Sequence, residues 1–171
     1  MKFQRVILAI VIFLMIGAQA HAQKDKTTTI FLVRHAEKVK DGTKDPALTF
    51  EGKQRANELK DILQHVDLAA VYSTNFKRTK NTAMPTATAQ NLKVKLYNPM
   101  DSGKFLDGVL KKHKGKNILI VGHSNTIPAL VNSLLGDQRY EALADSDYNN
   151  LFIVTITRGA EADVLQLTFK P

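Results

Sequence analysis

Short, β-branched apolar runs alternate with helix-like segments along most of this chain, and a chain so patterned has few ways to bury both kinds of surface. The first run, Thr28-Thr29-Ile30-Phe31-Leu32-Val33, reads as a buried strand and stops at Arg34-His35. The polar stretch from Lys40 to Pro46, with Gly42 inside it, reads as a surface loop. Thr49 is a natural N-cap for a helix to about His65, whose buried face is marked by Leu59, Ile62, Leu63 and Val66. Leu68 to Ser73 is a second strand. A loop from Thr74 then leads into a helix that begins near Lys77 and is interrupted or bent at Pro85 before Gln90. Lys93 to Leu96, Gly103 to Lys114, Asn117 to Val121 and Thr126 to Leu135 continue as strand, helix, strand and helix. Asn150 to Thr157 and Ala162 to Phe169 flank Arg158-Gly159 as an antiparallel hairpin would. The expected fold is α/β: a single-domain three-layer sandwich over residues 28–171, with a mostly parallel sheet, helices on both faces and a C-terminal hairpin.

The chain opens with Lys2 and Arg5, continues with apolar Val6 to Ile16, and reaches Ala20-His21-Ala22, which has the small-residue spacing of a signal-peptidase site. Residues 1–22 are accordingly expected to be a signal peptide cleaved after Ala22, with residues 23–27 as a linker and the periplasm or the extracellular space as destination. The alternative is an uncleaved anchor, for which the apolar run falls short of the ~20 residues that span hydrocarbon.

Cysteine is absent, which closes thiol-nucleophile and zinc–cysteine chemistry. Neither an HExxH pair nor a carboxylate cluster is present, so neither a metal nor any other cofactor is expected. The net charge of +8, still strongly positive without Lys2 and Arg5, favours anionic partners. Only 7% of residues are aromatic and no basic stretch is interleaved with them, which argues against a nucleic-acid platform. The densest basic run, Lys111 to Lys116, stands at the end of a helix, where cations are favourable for local reasons. The expected partner is a small phosphorylated substrate, not nucleic acid and, once the leader is removed, not a membrane.

In open α/β sheets ligands bind beyond the carboxyl ends of the strands. Arg34-His35 lies just past one strand and Gly122-His123 just past another, so two histidines distant in sequence are expected to meet at one sheet edge. Four segments carry the chemistry: Arg34-His35-Ala36-Glu37, Leu48-Thr49-Phe50-Glu51-Gly52, the run from Tyr72 to Ala83 that contains Arg78, and Val121-Gly122-His123-Ser124. Together they resemble the histidine phosphatase superfamily, which also holds cofactor-dependent phosphoglycerate mutases and small phosphohistidine phosphatases. The resemblance runs from about Ile30 to Leu135, and Ala36 stands where the first motif usually has glycine.

Phosphoryl transfer spreads negative charge over three oxygens, so positioning and charge stabilisation dominate its catalysis. Guanidinium forks match those oxygens, which assigns Arg34 and Arg78 to the phosphoryl group. A neutral imidazole attacks phosphorus when one ring nitrogen is free and the other donates to a fixed acceptor, which makes His35 the candidate nucleophile. The resemblance implies that His123 contacts the same oxygens. The backbone N–H of Ser124 is a further candidate phosphate contact, and Lys38, Lys40 and Lys44 either close over an anionic substrate or are simply solvated. Many relatives carry a carboxylate after the segment equivalent to Val94-Lys95-Leu96, but Tyr97-Asn98-Pro99 follows here. The general acid is therefore Glu37, Asp101 or none, and Glu37 has the second reading of a loop-orienting group. A chain without a strong acid would suit good leaving groups such as phosphoramidates, anomeric sugar phosphates or anhydrides. The function expected is metal-independent phosphate-ester hydrolysis through a phosphohistidine. The alternatives are a mutase-type phosphotransferase, for which the chain is short, and a non-catalytic phosphate-group-binding module.

Overall fold

The computed structural model describes residues 27–170. The expected signal peptide, its cleavage point after Ala22 and all of the linker except Thr27 lie outside these residues.

Six strands form one sheet in the order β3-β2-β4-β1-β5-β6. They are β1 (Thr28–Arg34), β2 (Leu68–Ser73), β3 (Val94–Leu96), β4 (Asn117–Gly122), β5 (Asn150–Ile156) and β6 (Asp163–Thr168). The first four are mutually parallel, β5 is added antiparallel beside β1, and β6 antiparallel beside β5. Among the described residues four α-helices cover the sheet: α1 (Phe50–Ile62), α2 (Lys77–Ala89), α3 (Ser102–Lys112) and α4 (Thr126–Leu135). The expected architecture is the observed one, a mostly parallel sheet with a C-terminal hairpin.

The strand period sorts the core into two layers. Phe31 and Val33 of β1 face Leu59 and Leu63 at the end of α1 and Ala83 and Ala87 of α2. Ile30 and Leu32 face the other way, toward Leu106 and Val109 of α3 and Ile127, Leu130 and Val131 of α4. Because β1 and β4 are both covered on both sides, they tolerate apolar residues at every position, as their sequences show.

Local chemistry sets the element ends. The Thr49 side chain accepts from the Gly52 N–H at 3.0 Å and starts α1, as expected. The helix stops at Ile62, short of His65, and Ile62 is 39% exposed rather than part of the buried face. The face is carried instead by Arg55, Ala56, Leu59 and Leu63, a narrower stripe that includes one buried cation. Pro85 does not interrupt α2, which runs on to Ala89. Gly136, at φ +70°, closes α4 in the left-handed conformation that glycine adopts without strain.

One glycine is required by close approach. A Cβ on Gly52 would run into the backbone carbonyl of Glu37, so the first turn of α1 lies directly against the segment that follows β1. Gly52→Ala is expected to cost about 1–3 kcal/mol, the range for forced overpacking, and to lower the melting temperature by several degrees. Gly108→Ala in α3 meets nothing within 4 Å and should gain roughly 0.5–1 kcal/mol from helix propensity. Calorimetry of the two variants checks both signs, and an unchanged Gly52→Ala melting point would mean that the contact yields freely.

Candidate active site

The sheet places its polar residues where β1 and β4 end side by side. Arg34 is in register with Gly122, and the His35 N–H donates to the Gly122 carbonyl at 2.9 Å, extending the ladder by one step. His35 and His123 consequently lie with ring centroids 5.5 Å apart. The expected meeting of the two histidines at one sheet edge is what the structure shows.

The His35 ring is 3% exposed, and its Nδ1 lies 2.8 Å from the Ala36 carbonyl. A carbonyl only accepts, so Nδ1 carries the proton and Nε2 keeps its lone pair. Burial, with Arg34, Arg78 and His123 adding to it against the Ala36 bond, lowers the His35 pKa to about 3. The segment is held from two sides. The Ala36 N–H donates to the Thr82 hydroxyl of α2, which in turn donates to the Arg78 carbonyl. The Glu37 carbonyl accepts from the Thr49 N–H at 2.9 Å.

His123 is fixed by a hydroxyl chain. Thr79 donates to backbone carbonyls of Thr74 and Phe76, Thr74 donates to Thr79, and the Thr74 oxygen lies 2.9 Å from His123 Nε2. With the Thr74 proton committed to Thr79, His123 donates from Nε2. The His123 N–H donates to the Thr126 hydroxyl at 2.8 Å, and the Phe76 ring packs edge-on at 5.1 Å. Burial, then Arg78, Arg34 and Lys38, lowers its pKa to about 4.

Arg34 is a buried cation and Arg78 a half-buried one, and both have donors to spare. Arg34 Nη1 donates to the carbonyls of Ala144 (2.7 Å) and Asp147 (2.8 Å), and Nη2 reaches the exposed Asp145 carboxylate at 3.1 Å. Its guanidinium also lies 4.1 Å from the centroid of the Tyr148 ring. Arg78 rests on the Phe76 ring at 4.4 Å and stands 3.8 Å from Asp45, too far for a hydrogen bond. Arg34 Nε and Arg78 Nε and Nη1 are buried without a hydrogen-bond partner among the described residues. Such donors are costly to leave unmatched and are the geometry an oxyanion would satisfy.

The remaining expected residues separate. Both Glu37 carboxylate oxygens accept from Arg55: Nε donates at 2.9 and 3.0 Å and Nη2 at 2.6 Å, while Arg55 Nη1 caps the Phe169 carbonyl. That geometry favours the loop-orienting reading of Glu37 over the acid. Asp101 accepts from Asn98 within the turn Pro99–Asp101 and does not line the cleft beside His123. Ser124 turns the chain into α4, and its carbonyl accepts from the Leu143 N–H. Lys38 sits close enough to act on His123, Lys40 borders a shallow depression with Glu37, Asp145 and Tyr148, and Lys44 is exposed.

Sequence reasoning missed the loop of residues 137–149, which closes over Arg34 and brings Tyr148 to 6.0 Å from the His35 ring. Asn132 of α4 anchors it, accepting from the N–H groups of Arg139 and Tyr140 and donating to the Tyr140 carbonyl. These contacts are mostly to backbone, which no side-chain pattern announces. Arg55 was missed too, although Thr74 and Phe76 lay inside a segment already singled out.

A family model described as the histidine phosphatase superfamily (branch 1) matches residues 30–100, which contain His35, Glu37 and Arg78. Phosphoserine phosphatase 1 of Hydrogenobacter thermophilus is 34% identical over 97 residues, 49% of this chain and 46% of that protein. The chain thus spans about half the length of this curated relative. Among solved structures, the protein histidine phosphatase SixA complexed with tungstate is similar with a TM-score of 0.66 at 18% identity, covering 82% of this chain and 96% of that one. Phosphoserine phosphatase of Entamoeba histolytica with 3-phosphoglyceric acid is similar with a TM-score of 0.67 at 18% identity, covering 84% and 98%.

Both histidine pKa values lie below the ordinary 6.5, so on acidification the unfolded chain binds protons first. Each histidine therefore contributes stability that is present above about pH 6.5 and is lost as the pH falls toward about 4 for His123 and about 3 for His35, by at most ~1.4 kcal/mol per pH unit. Urea unfolding in phosphate-free buffer should show the decline between pH 7 and 5, and His35→Gln should make it shallower. A parent midpoint that does not move over that interval would contradict buried neutral imidazoles.

Proposed function

We propose that this chain, which belongs to the histidine phosphatase superfamily (branch 1), is a phosphomonoester hydrolase that passes the phosphoryl group through His35 and needs no metal. The observation that carries the reading is a neutral imidazole with Nδ1 committed to the Ala36 carbonyl, set beside two guanidiniums with buried, unmatched N–H donors. Small phosphorylated substrates fit this site, and the names of the relatives, phosphoserine phosphatases among them, support that class.

His35 Nε2 attacks phosphorus in line with the leaving oxygen. The Nε2–P bond forms as the P–O bond breaks, and the leaving oxygen keeps the electron pair. The three equatorial oxygens are matched by Arg34 Nε and the Arg78 Nε and Nη1 donors, which stand ready without reorganisation. His123, within the same electrostatic field, takes up a proton more readily once a dianion is present, and so adds a donor when negative charge arrives. Water then attacks phosphorus, the Nε2–P bond breaks with its electron pair returning to the imidazole, and inorganic phosphate leaves. No carboxylate lines the cleft beside His123, so the leaving oxygen takes its proton from water. Glu37 is a positioning residue in this scheme, tying the His35 segment to α1 through Arg55. Export belongs to the same reading on the strength of the leader sequence alone, and the N-terminal residue of protein recovered outside the cytoplasm tests it.

Hydrolysis of an aryl phosphate is expected to persist in excess EDTA, and quenching during turnover should trap label on His35 that survives alkali and is lost in mild acid. His35→Ala should remove both label and turnover, since an arginine that stays protonated cannot replace the nucleophile. A His35→Ala enzyme as fast as the parent sinks the mechanism. Glu37→Gln should slow aryl and alkyl phosphates by the same factor and lower the melting temperature, because it loosens the loop rather than removing a proton donor. A loss confined to the alkyl phosphate would return the acid role to Glu37.

A further inference from the structure

The geometry points to a substrate whose phosphate is carried on an aromatic ring. This rests on the reading above of the phosphoryl site and concerns the other half of the substrate.

A cleft of about 370 Å³ opens from His123 and Arg78. Its walls are Phe76, Tyr97, Pro99, Met100, Ala129 and Leu130, with the neutral polar residues Ser102, Asn125 and Thr126 among them. Apart from Arg78, which the phosphoryl group occupies, no cation lines it, and no carboxylate does. Arg34 and Lys38, the other cations that act on His123, are not part of the lining. The carboxylate and ammonium of phosphoserine would enter this cleft with no opposite charge to meet them, and stripping water from such groups without a partner is unfavourable. A polyol would meet the Ser102 hydroxyl and the Asn125 amide but few other free polar groups. The Thr126 hydroxyl is already engaged by the His123 N–H, and the buried Tyr97 hydroxyl shares the space beside Gly122 with it.

A planar apolar group meets a matching surface. The Phe76 ring forms one wall next to the phosphoryl site, and the Tyr97 ring, stacked on Phe105 at 4.2 Å between centroids, is held rigid as another. Met100 is 86% exposed at the rim, a flexible thioether of the kind that adapts to aromatic ligands. The same lining has a second consequence. The cleft holds no carboxylic acid to protonate a leaving oxygen, and a phenol or an imidazole leaves without that help far more readily than an alkoxide. The walls and the missing acid select the same chemistry.

Non-hydrolysable phosphonates separate binding of the ring from the reactivity of its leaving group. Isothermal titration of the full chain with benzylphosphonate, with the phosphonate analogue of phosphoserine, and with a dihydroxyalkyl phosphonate should give at least tenfold tighter binding for the benzyl compound. Met100→Ser should weaken the benzyl compound several-fold while inorganic phosphate binds unchanged. Equal or tighter binding of the serine analogue or of the polyol would overturn the inference, as would a Met100→Ser protein with the benzyl preference intact. Binding of inorganic phosphate reports on the phosphoryl site separately, so loss of that reading is distinguishable from failure of this one. Turnover of phenyl phosphate against free phosphohistidine then tells which bond, to oxygen or to nitrogen, the ring presents.

Discussion

Parallel pairing of β1 with β4 at the centre of the sheet is the constraint on which the rest depends. It sets Arg34 beside Gly122 and thereby delivers two histidines to one edge without any sequence proximity. Both strands are covered on both faces, so their positions are locked by the alternating packing of Ile30 and Leu32 against one layer and Phe31 and Val33 against the other. A slip of one residue would exchange these sets and carry Arg34 to the wrong layer. Site geometry and core register are therefore the same specification.

The charge balance of the site follows from that placement. Two guanidiniums and two imidazoles share one buried region, and the protein resolves the crowding by keeping both imidazoles neutral. Burial is the largest cause and the guanidiniums add to it. Carbonyl dipoles of Ala144 and Asp147 and the face of Tyr148 moderate the Arg34 charge without a buried counterion. Asp145 and Asp45 are too exposed or too distant to neutralise the pair fully. Positive potential is left where three donors stand unmatched, a balance that a tetrahedral dianion would complete.

How far the sequence discloses all this depends on what kind of interaction carries each feature. The sheet was legible because buried parallel strands are written as apolar runs, and β2 and α4 fall where the pattern sets them. The convergence of Arg34, His35, Arg78 and His123 was legible because each ends or follows a strand or opens a helix in a recognisable segment. Ile62, the last residue of α1, was misplaced because it stands on the flank of the stripe that Leu59 and Leu63 continue, where it stays exposed. Of the two readings of Pro85, interruption or bend, the interruption does not occur, since loss of one N–H is tolerable in a helix whose other bonds and packing persist. Residues 137–149 were silent because their grip on Arg34 is made largely through carbonyl oxygens, which every residue has.

The partners of Glu37 show why nearness in sequence does not by itself assign a chemical role. A carboxylate two residues from a nucleophile is an attractive proton donor until its partners are drawn. Arg55, itself 5% exposed, would be an uncompensated buried cation without Glu37 and the Phe169 carbonyl. Removing the carboxylate therefore disturbs α1, the last residues of the chain's final strand region and the His35 segment together. Gly52 makes the same junction from the other side, by pressing backbone to backbone where no side chain fits. The His35 segment is thus held by a guanidinium–carboxylate pair, a capped helix start and a close backbone contact, none of which touches phosphorus. Rigidity of this kind would serve the proposed in-line attack by His35, whose advantage would come from being held in place.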